Sequence, residues 1–294
     1  MNVSLSDLSD GLASLVERAG PSVVGIGNAT GFAWTTDLAV TSASSVRCER
    51  SAIEVRLPDG ATREGTLLGV DPASDLAVVR VASGGLVPIA RRDETKSARV
   101  GEIVLALGRP GRTIRASQRI VGLVGKDVRA RRGLVLRDYV EMDRGFPEGF
   151  VGGPIVDASG ALVGLGTDRV VRGADLAMTP AQLAPIVDQI VKDGRPKLGW
   201  LGVAVQPARL PDRLATEVPH QSGALITAIE NGGPADAAGL VVGDVVVGLD
   251  GAAIEGPDAL LARLRGLADT AIALRVVRGG TITTIAATVG TRKR

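Results

Sequence analysis

One histidine, His220, and one cysteine, Cys48, bound the side-chain chemistry open to this 294-residue chain. A single thiol excludes an intramolecular disulfide and any zinc or iron–sulfur site built from several cysteines, so no metal and no cofactor is expected. Hydrolysis by a hydroxyl or thiol needs a base beside the nucleophile. Ser44 and Ser45, in Ala39-Val-Thr-Ser-Ala-Ser-Ser-Val46, are candidate hydroxyls, but neither that segment nor Asp71-Pro-Ala-Ser-Asp-Leu-Ala-Val-Val79 contains a Lys. His220 lies in Val218-Pro-His-Gln-Ser-Gly223, whose Pro and Gly read as a surface loop. A Cys48–His220 dyad has no orienting third group, and Cys48 reads as a small, partly buried side chain.

The elements that must position these residues are mostly strands. The length suits two domains, and 45% hydrophobic with 22% charged residues is the composition of a globular chain. Two Trp, one Tyr and three Phe leave the cores to Val, Leu, Ile and Ala, and leave too few rings for a base-stacking platform. Leu5, Leu8, Leu12, Leu15 and Val16 recur at helical spacing behind a Ser4/Asp7 cap, with Gly20-Pro21 as the stop, which predicts an amphipathic helix over residues 1–20. Short β-rich runs follow at Val23–Ile26, Leu38–Thr41, Ile53–Leu57, Thr66–Val70, Leu76–Val81, Ile103–Leu107, Ile120–Val124, Gly133–Leu136, Pro154–Val156 and Ala161–Gly166. Such spacing indicates antiparallel barrels or a sandwich. A helix over Pro180–Lys192 ends at Gly194, residues 194–197 form a polar linker, and a second set of strands with a helix over Pro257–Leu267 fills 198–294.

The formal net charge of +2 is too small to imply nucleic acid, although nine basic residues between Arg109 and Asp138 face only Asp127 and Asp138. This segment reads as a solvated loop; binding of nucleic acid or anionic lipid is not expected from it. No basic segment followed by an apolar run opens the chain, and no apolar stretch is long enough to span a membrane, so a cytoplasmic location is expected.

Four stretches of the first domain together resemble the trypsin-like protease domain of the HtrA/DegP family. They are Ala39–Val46, Asp71–Val79, Tyr139-Val-Glu-Met-Asp143 with Gly149-Phe-Val-Gly-Gly-Pro154, and Ala161-Leu-Val-Gly-Leu-Gly166. The resemblance implies a trypsin-like double antiparallel β-barrel over 21–193. It places Ser44 at the position of the catalytic base, Asp75 at that of the acid and Val151 at that of the nucleophile, with Gly149 in the oxyanion loop. The mechanism needs a hydroxyl and an imidazole, whereas the carboxylate only orients the imidazole. On this reading the chain is not an enzyme, and Phe150 and Val151 put bulk where the cleft would open.

Residues 198 to about 290 resemble the PDZ domains of the same family, on Trp200-Leu-Gly-Val203, Gly232-Gly-Pro-Ala-Asp-Ala-Ala-Gly-Leu240 and Gly243-Asp-Val-Val-Val-Gly-Leu-Asp-Gly251. The resemblance implies that Trp200, Leu201, Gly202 and Val203 form a carboxylate-binding loop whose N–H groups hold a peptide C-terminus, while the next strand accepts the peptide as an added strand. Leu260, Leu261 and Leu264 are available for the opposite wall, and the sequence does not divide them between groove and core. The expected protein is a non-catalytic HtrA-like pseudoprotease of protein quality control. It binds protein C-termini or unfolded chains as a scaffold, regulator or holdase, and two placements stay open for Leu5 to Val16, within its own chain or against another chain in self-association. The alternative is an active serine endopeptidase with a rearranged catalytic site.

Overall fold

The computed structural model describes residues 4–46, 52–93, 97–130, 134–194 and 198–291. Cys48, Gly133 and most of the linker therefore lie outside the described residues. The chain divides into two compact units, Met1–Arg131 with Val135–Pro196, and Arg132–Leu134 with Lys197–Arg294. Among the described residues no helix is long and apolar enough to cross a membrane.

The first unit opens with helix α1, Leu5–Ala19, whose start is closed by a reciprocal cap: Asp7 N–H donates to Ser4 Oγ at 3.1 Å and Ser4 N–H to Asp7 Oδ2 at 3.0 Å. Only the last turns of its apolar stripe are covered. Leu15 and Ala19 are buried, whereas Leu5 is 86% exposed.

Six strands then close a first barrel: β1 Val23–Ile26, β2 Ala29–Ala33, β3 Leu38–Ser42, β4 Ala52–Arg56, β5 Thr62–Asp71 and β6 Leu76–Arg80, in the order β1-β2-β3-β6-β5-β4. Val24, Ile26, Val55, Ala77 and Val79 fill it. Strand β2 was not among the expected runs. Its centre is Gly31, a weak strand former, and tertiary packing overrides that preference: a Cβ at Gly31 would stand 2.6 Å from the Val40 carbonyl oxygen on β3.

The second barrel comprises β7 Ile103–Gly108, β8 Arg115–Arg129, β9 Val135–Met142, β10 Pro154–Val156, β11 Leu162–Thr167 and β12 Leu176–Met178, in the order β10-β11-β12-β9-β8-β7. The Ile120–Val124 run is the middle of a strand of 15 residues. Pairing from Gly108↔Arg115 to Arg129↔Val135 carries the polar flanks into the sheet.

Among its described residues the Arg109–Arg137 segment is thus mostly a strand pair with a buried basic component rather than a solvated loop. Arg109 and Arg119 are each at most 5% exposed. A buried guanidinium is tolerable only with its donors satisfied, and Arg109 gives Nε to the Val23 carbonyl at 2.8 Å, Nη1 to that of Arg112 at 2.9 Å and Nη2 to that of Gly20 at 3.3 Å. Burial holds both guanidinium groups below their ordinary pKa. Helix α2, Pro180–Asp193, ends at Gly194, whose φ of 72° and N–H bond to the Ile190 carbonyl make the expected stop.

In the second unit, β14 Val203–Arg209, β15 Ser222–Ile229, β16 Val245–Leu249, β18 Ala271–Arg278 and β19 Thr281–Thr288 form one antiparallel sheet, with β17 Ala252–Ala253 on β16. A short ribbon of β13 Gly199–Trp200 and β20 Gly290–Thr291 stands beside it, with helices α3 Pro234–Ala237 and α4 Pro257–Leu264. The core joins Leu201, Ile226, Leu240, Val246, Leu260, Leu264 and Leu274. Asp244, fully buried, receives Arg278 Nε on Oδ1 at 2.8 Å, and Arg278 Nη2 at 2.7 Å and Val241 N–H at 2.9 Å on Oδ2.

Burial pushes the Asp244 carboxyl up, but the bonds from Arg278 and Val241 outweigh it, and its pKa lies below the ordinary 3.8. A carboxyl lowered by folding contributes stability above its unfolded pKa and loses it as pH falls through the folded value. Asp244→Asn is therefore expected to destabilise the second unit by about 1.5–3 kcal/mol at pH 7. Calorimetric unfolding of parent and variant should converge as pH falls below 3.8.

Candidate active cleft and peptide groove

The first constellation gathers on Asp75. The β5–β6 turn places this residue at φ 54°, in the left-handed region that Asp tolerates better than most side chains. Its carbonyl accepts Ala43 N–H at 2.9 Å, which fastens the turn to the end of β3. The Asp75 carboxylate accepts Ser44 N–H on Oδ1 at 2.8 Å, and on Oδ2 the hydroxyls of Ser42 at 2.6 Å and Thr167 at 2.8 Å. Ser42 Oγ and Ser44 Oγ are 2.6 Å apart, and the hydroxyl of the exposed Ser44 also donates directly to Asp75 Oδ2 at 3.5 Å. The structure places Ser44 beside Asp75. The sequence missed Thr167, which reads only as the polar residue closing the apolar run of β11.

The Gly149–Pro154 loop lies against the same cluster. Thr30 Oγ1 donates to the Gly149 carbonyl at 2.5 Å and accepts Arg109 N–H at 2.7 Å, while Gly152 N–H donates to the Gly166 carbonyl at 2.8 Å. Gly152 has φ 86°, and a Cβ there would stand 2.6 Å from Ser42 N, so only glycine lets the loop close on the first barrel. Val151 is half-buried and carries no nucleophilic atom. Among the described residues, neither Gly149 N–H nor Val151 N–H donates to a backbone carbonyl, which leaves both amides available to a ligand oxygen.

Phe150 does not plug the cleft. It is 5% exposed and packs in the second barrel with Val104, Val121 and Ile155. Its ring lies so close to Gly108 that a Cβ there would meet it at 3.0 Å. The bulk expected in the cleft is drawn inward because an aromatic ring gains more from burial than from an open position. Behind the loop, burial pushes the Asp175 carboxyl up; the Phe146 N–H draws it down, and Asp168 and Glu141 raise it further.

The second constellation surrounds Gly202. Its φ of 74° turns the chain between β13 and β14. Leu201 and Gly202 give their carbonyls to Ala235 N–H and Glu230 N–H, both at 2.8 Å, and among the described residues neither gives its own N–H to a backbone carbonyl. Trp200 packs behind this turn: Cβ atoms at Gly202, Gly233 and Gly290 would lie 3.1, 3.5 and 3.5 Å from its ring. Strand β14 is an edge of the sheet. Of the α4 leucines, Leu260 and Leu264 are buried in the core with Leu201, and Leu261 is 44% exposed. His220 is half-buried beside Ser222, with Nδ1 3.5 Å from Oγ.

Two closed barrels followed by this sheet and its two short helices define a trypsin-like peptidase fold joined to a PDZ domain. The trypsin-like peptidase domain model matches residues 29–165 and the PDZ domain model residues 225–278. The chain is 29% identical over 253 residues to a protein of Brucella suis biovar 1 named a probable periplasmic serine endoprotease DegP-like, covering 83% of this chain and 48% of the relative. A relative of the same name from Chlamydia pneumoniae is 30% identical over 271 residues, with coverage of 88% and 54%. The chain thus spans about half the length of the curated relatives it matches. Among solved structures, the HtrA-type protease AlgW with decapeptide superposes with a TM-score of 0.77 at 22% identity, covering 96% of this chain and 99% of that one. The serine endoprotease from Yersinia pestis gives 0.77 at 21% identity, with full coverage of both chains.

These relatives correct two expectations. They are named serine endoproteases, so the comparison points to an enzyme and overturns the reading of the chain as a non-enzyme, which had rested on residue types at two motif positions. They are named periplasmic, which overturns the cytoplasmic location. That reading had rested on missing apolar segments, and such an absence does not place a folded domain in a compartment.

The bonds that hold Asp75 make a test of the cleft. Introducing an imidazole and a hydroxyl together, in the double variant Ser44→His with Val151→Ser, should raise the rate of casein cleavage above that of the parent chain. Adding Asp75→Asn to that variant should lower the rate again by about 10⁴-fold, the loss seen when a triad carboxylate is replaced by its amide.

Proposed function

We propose that this chain is an HtrA-like serine protease homologue of the periplasm that captures polypeptides by their free, apolar C-termini in the groove between β14 and α4. The observation that carries this reading is the start of β14. There a glycine turn leaves the Leu201 and Gly202 amides without backbone acceptors at the head of an unpaired sheet edge. Adjacent N–H groups held by a turn form a nest for an anion, and an open edge supplies the main-chain bonds of an added strand. Leu201, Gly202 and Val203 act as the loop. Trp200 supports it from behind, since its ring covers backbone glycines.

The carboxylate is the handle on this reading. Each charge-assisted bond lost is worth about 1.5–3 kcal/mol, so capping the peptide C-terminus as an amide should weaken binding by about tenfold or more. Calorimetric titration of the full chain with acid and amide forms of one peptide checks this. Equal affinities would overturn the reading. Gly202→Ala should also weaken binding, because its φ of 74° and the Trp200 ring 3.1 Å from a new Cβ force the turn to shift.

A further inference from the structure

The direction of each backbone group along β14 follows from its pairing with β15. Leu210 N–H bonds to the Gln221 carbonyl at 2.9 Å, and Glu230 N–H to the Gly202 carbonyl at 2.8 Å. Antiparallel pairs alternate, so the even-numbered residues between them turn their N–H and C=O toward β15 and the odd-numbered ones turn theirs away. The bulge in this ladder falls between Ala204 and Val205, where the partners step from Ala228 to Ile226; the extra residue is Thr227 on β15, so the alternation along β14 is unbroken. The open edge therefore presents Val203, Val205, Pro207 and Arg209.

Proline has no N–H, and its ring carbon stands where the hydrogen would be. Pro207 faces the open edge and belongs to an exposed stretch with Gln206. The third outward rung of β14 thus offers a carbonyl but no donor.

We infer that Pro207 ends strand addition in this groove, so that it reads the last four residues of a C-terminal tail and gains nothing from residues further upstream. This rests on the capture reading above. With the carboxylate at the Leu201 and Gly202 amides, an antiparallel peptide sets its last residue against Val203 and its third-last against Val205. Its fifth-last residue meets Pro207, where its carbonyl finds a ring carbon in place of an N–H, and the ring holds the two strands apart so that its own N–H falls short of the Pro207 carbonyl. The groove is then matched to short frayed tails, which expose few residues, and not to long extended segments.

The test uses a four-residue peptide whose first residue lacks its amino group, so that no carbonyl lies upstream of it, and an N-acetylated six-residue peptide with the same last four side chains, both with a free C-terminus, titrated into the full chain and into its Pro207→Ala variant. In the parent the two lengths should agree within about twofold, while in the variant the six-residue peptide should gain about three- to tenfold, the worth of one main-chain hydrogen bond, with the four-residue peptide unchanged. The parent series stands on its own if the variant fails to fold. A gain of threefold or more with length in the parent overturns the stop at Pro207 and leaves capture intact. Binding of neither acid peptide to the parent overturns capture, and this inference with it.

Discussion

Much of the first unit depends on one buried carboxylate. Asp75 belongs to the first barrel, but one of its donors is the Thr167 hydroxyl at the end of β11 in the second barrel. The others, Ser42 Oγ and the N–H and hydroxyl of Ser44, come from the end of β3 and the turn beyond it. A charge placed in a nearly dry site must be surrounded by donors or it destabilises the fold, so the barrels approach with Thr167 and Ser42 facing a common point. The left-handed turn at Asp75 is the local cost of aiming the carboxylate there.

The same junction explains why the Gly149–Pro154 loop tolerates so little side chain. Gly152 lies against β3 backbone and Gly153 against the Leu107 carbonyl, where Cβ atoms would stand 2.6 and 2.3 Å from their neighbours. Thr30 ties the two sides together by accepting from Arg109 N–H and donating to Gly149. Phe150 anchors the loop from the other direction by filling the second barrel. The loop is therefore held by backbone bonds, the Thr30 hydroxyl and one ring, independently of the residue at position 151.

The second unit uses a different device. Asp244 and Arg278 join the strand β16 entry to the end of β18 through a bidentate pair, and the Gly239 carbonyl takes a further bond from Arg278 at 2.8 Å. This braces the side of the sheet away from β14, whose outer edge is left open. An unpaired edge invites association with other strands, and a proline on it limits how far such pairing runs.

By itself the sequence determined the division into two units, the strand-rich architecture and the capped helices at Leu5–Ala19 and Pro180–Asp193. Those features are local: turn glycines, cap residues and hydrophobic period act within a few residues of themselves. Tertiary structure alone decided that β2 forms around Gly31, that β8 runs through Arg115–Arg129, that Arg109 and Arg119 are buried, and that Phe150 turns into the core. It alone supplied Thr167 to Asp75 and set Pro207 facing outward. Each of these depends on a partner distant in sequence, and burial and pairing energies between distant segments leave no periodic trace in either one.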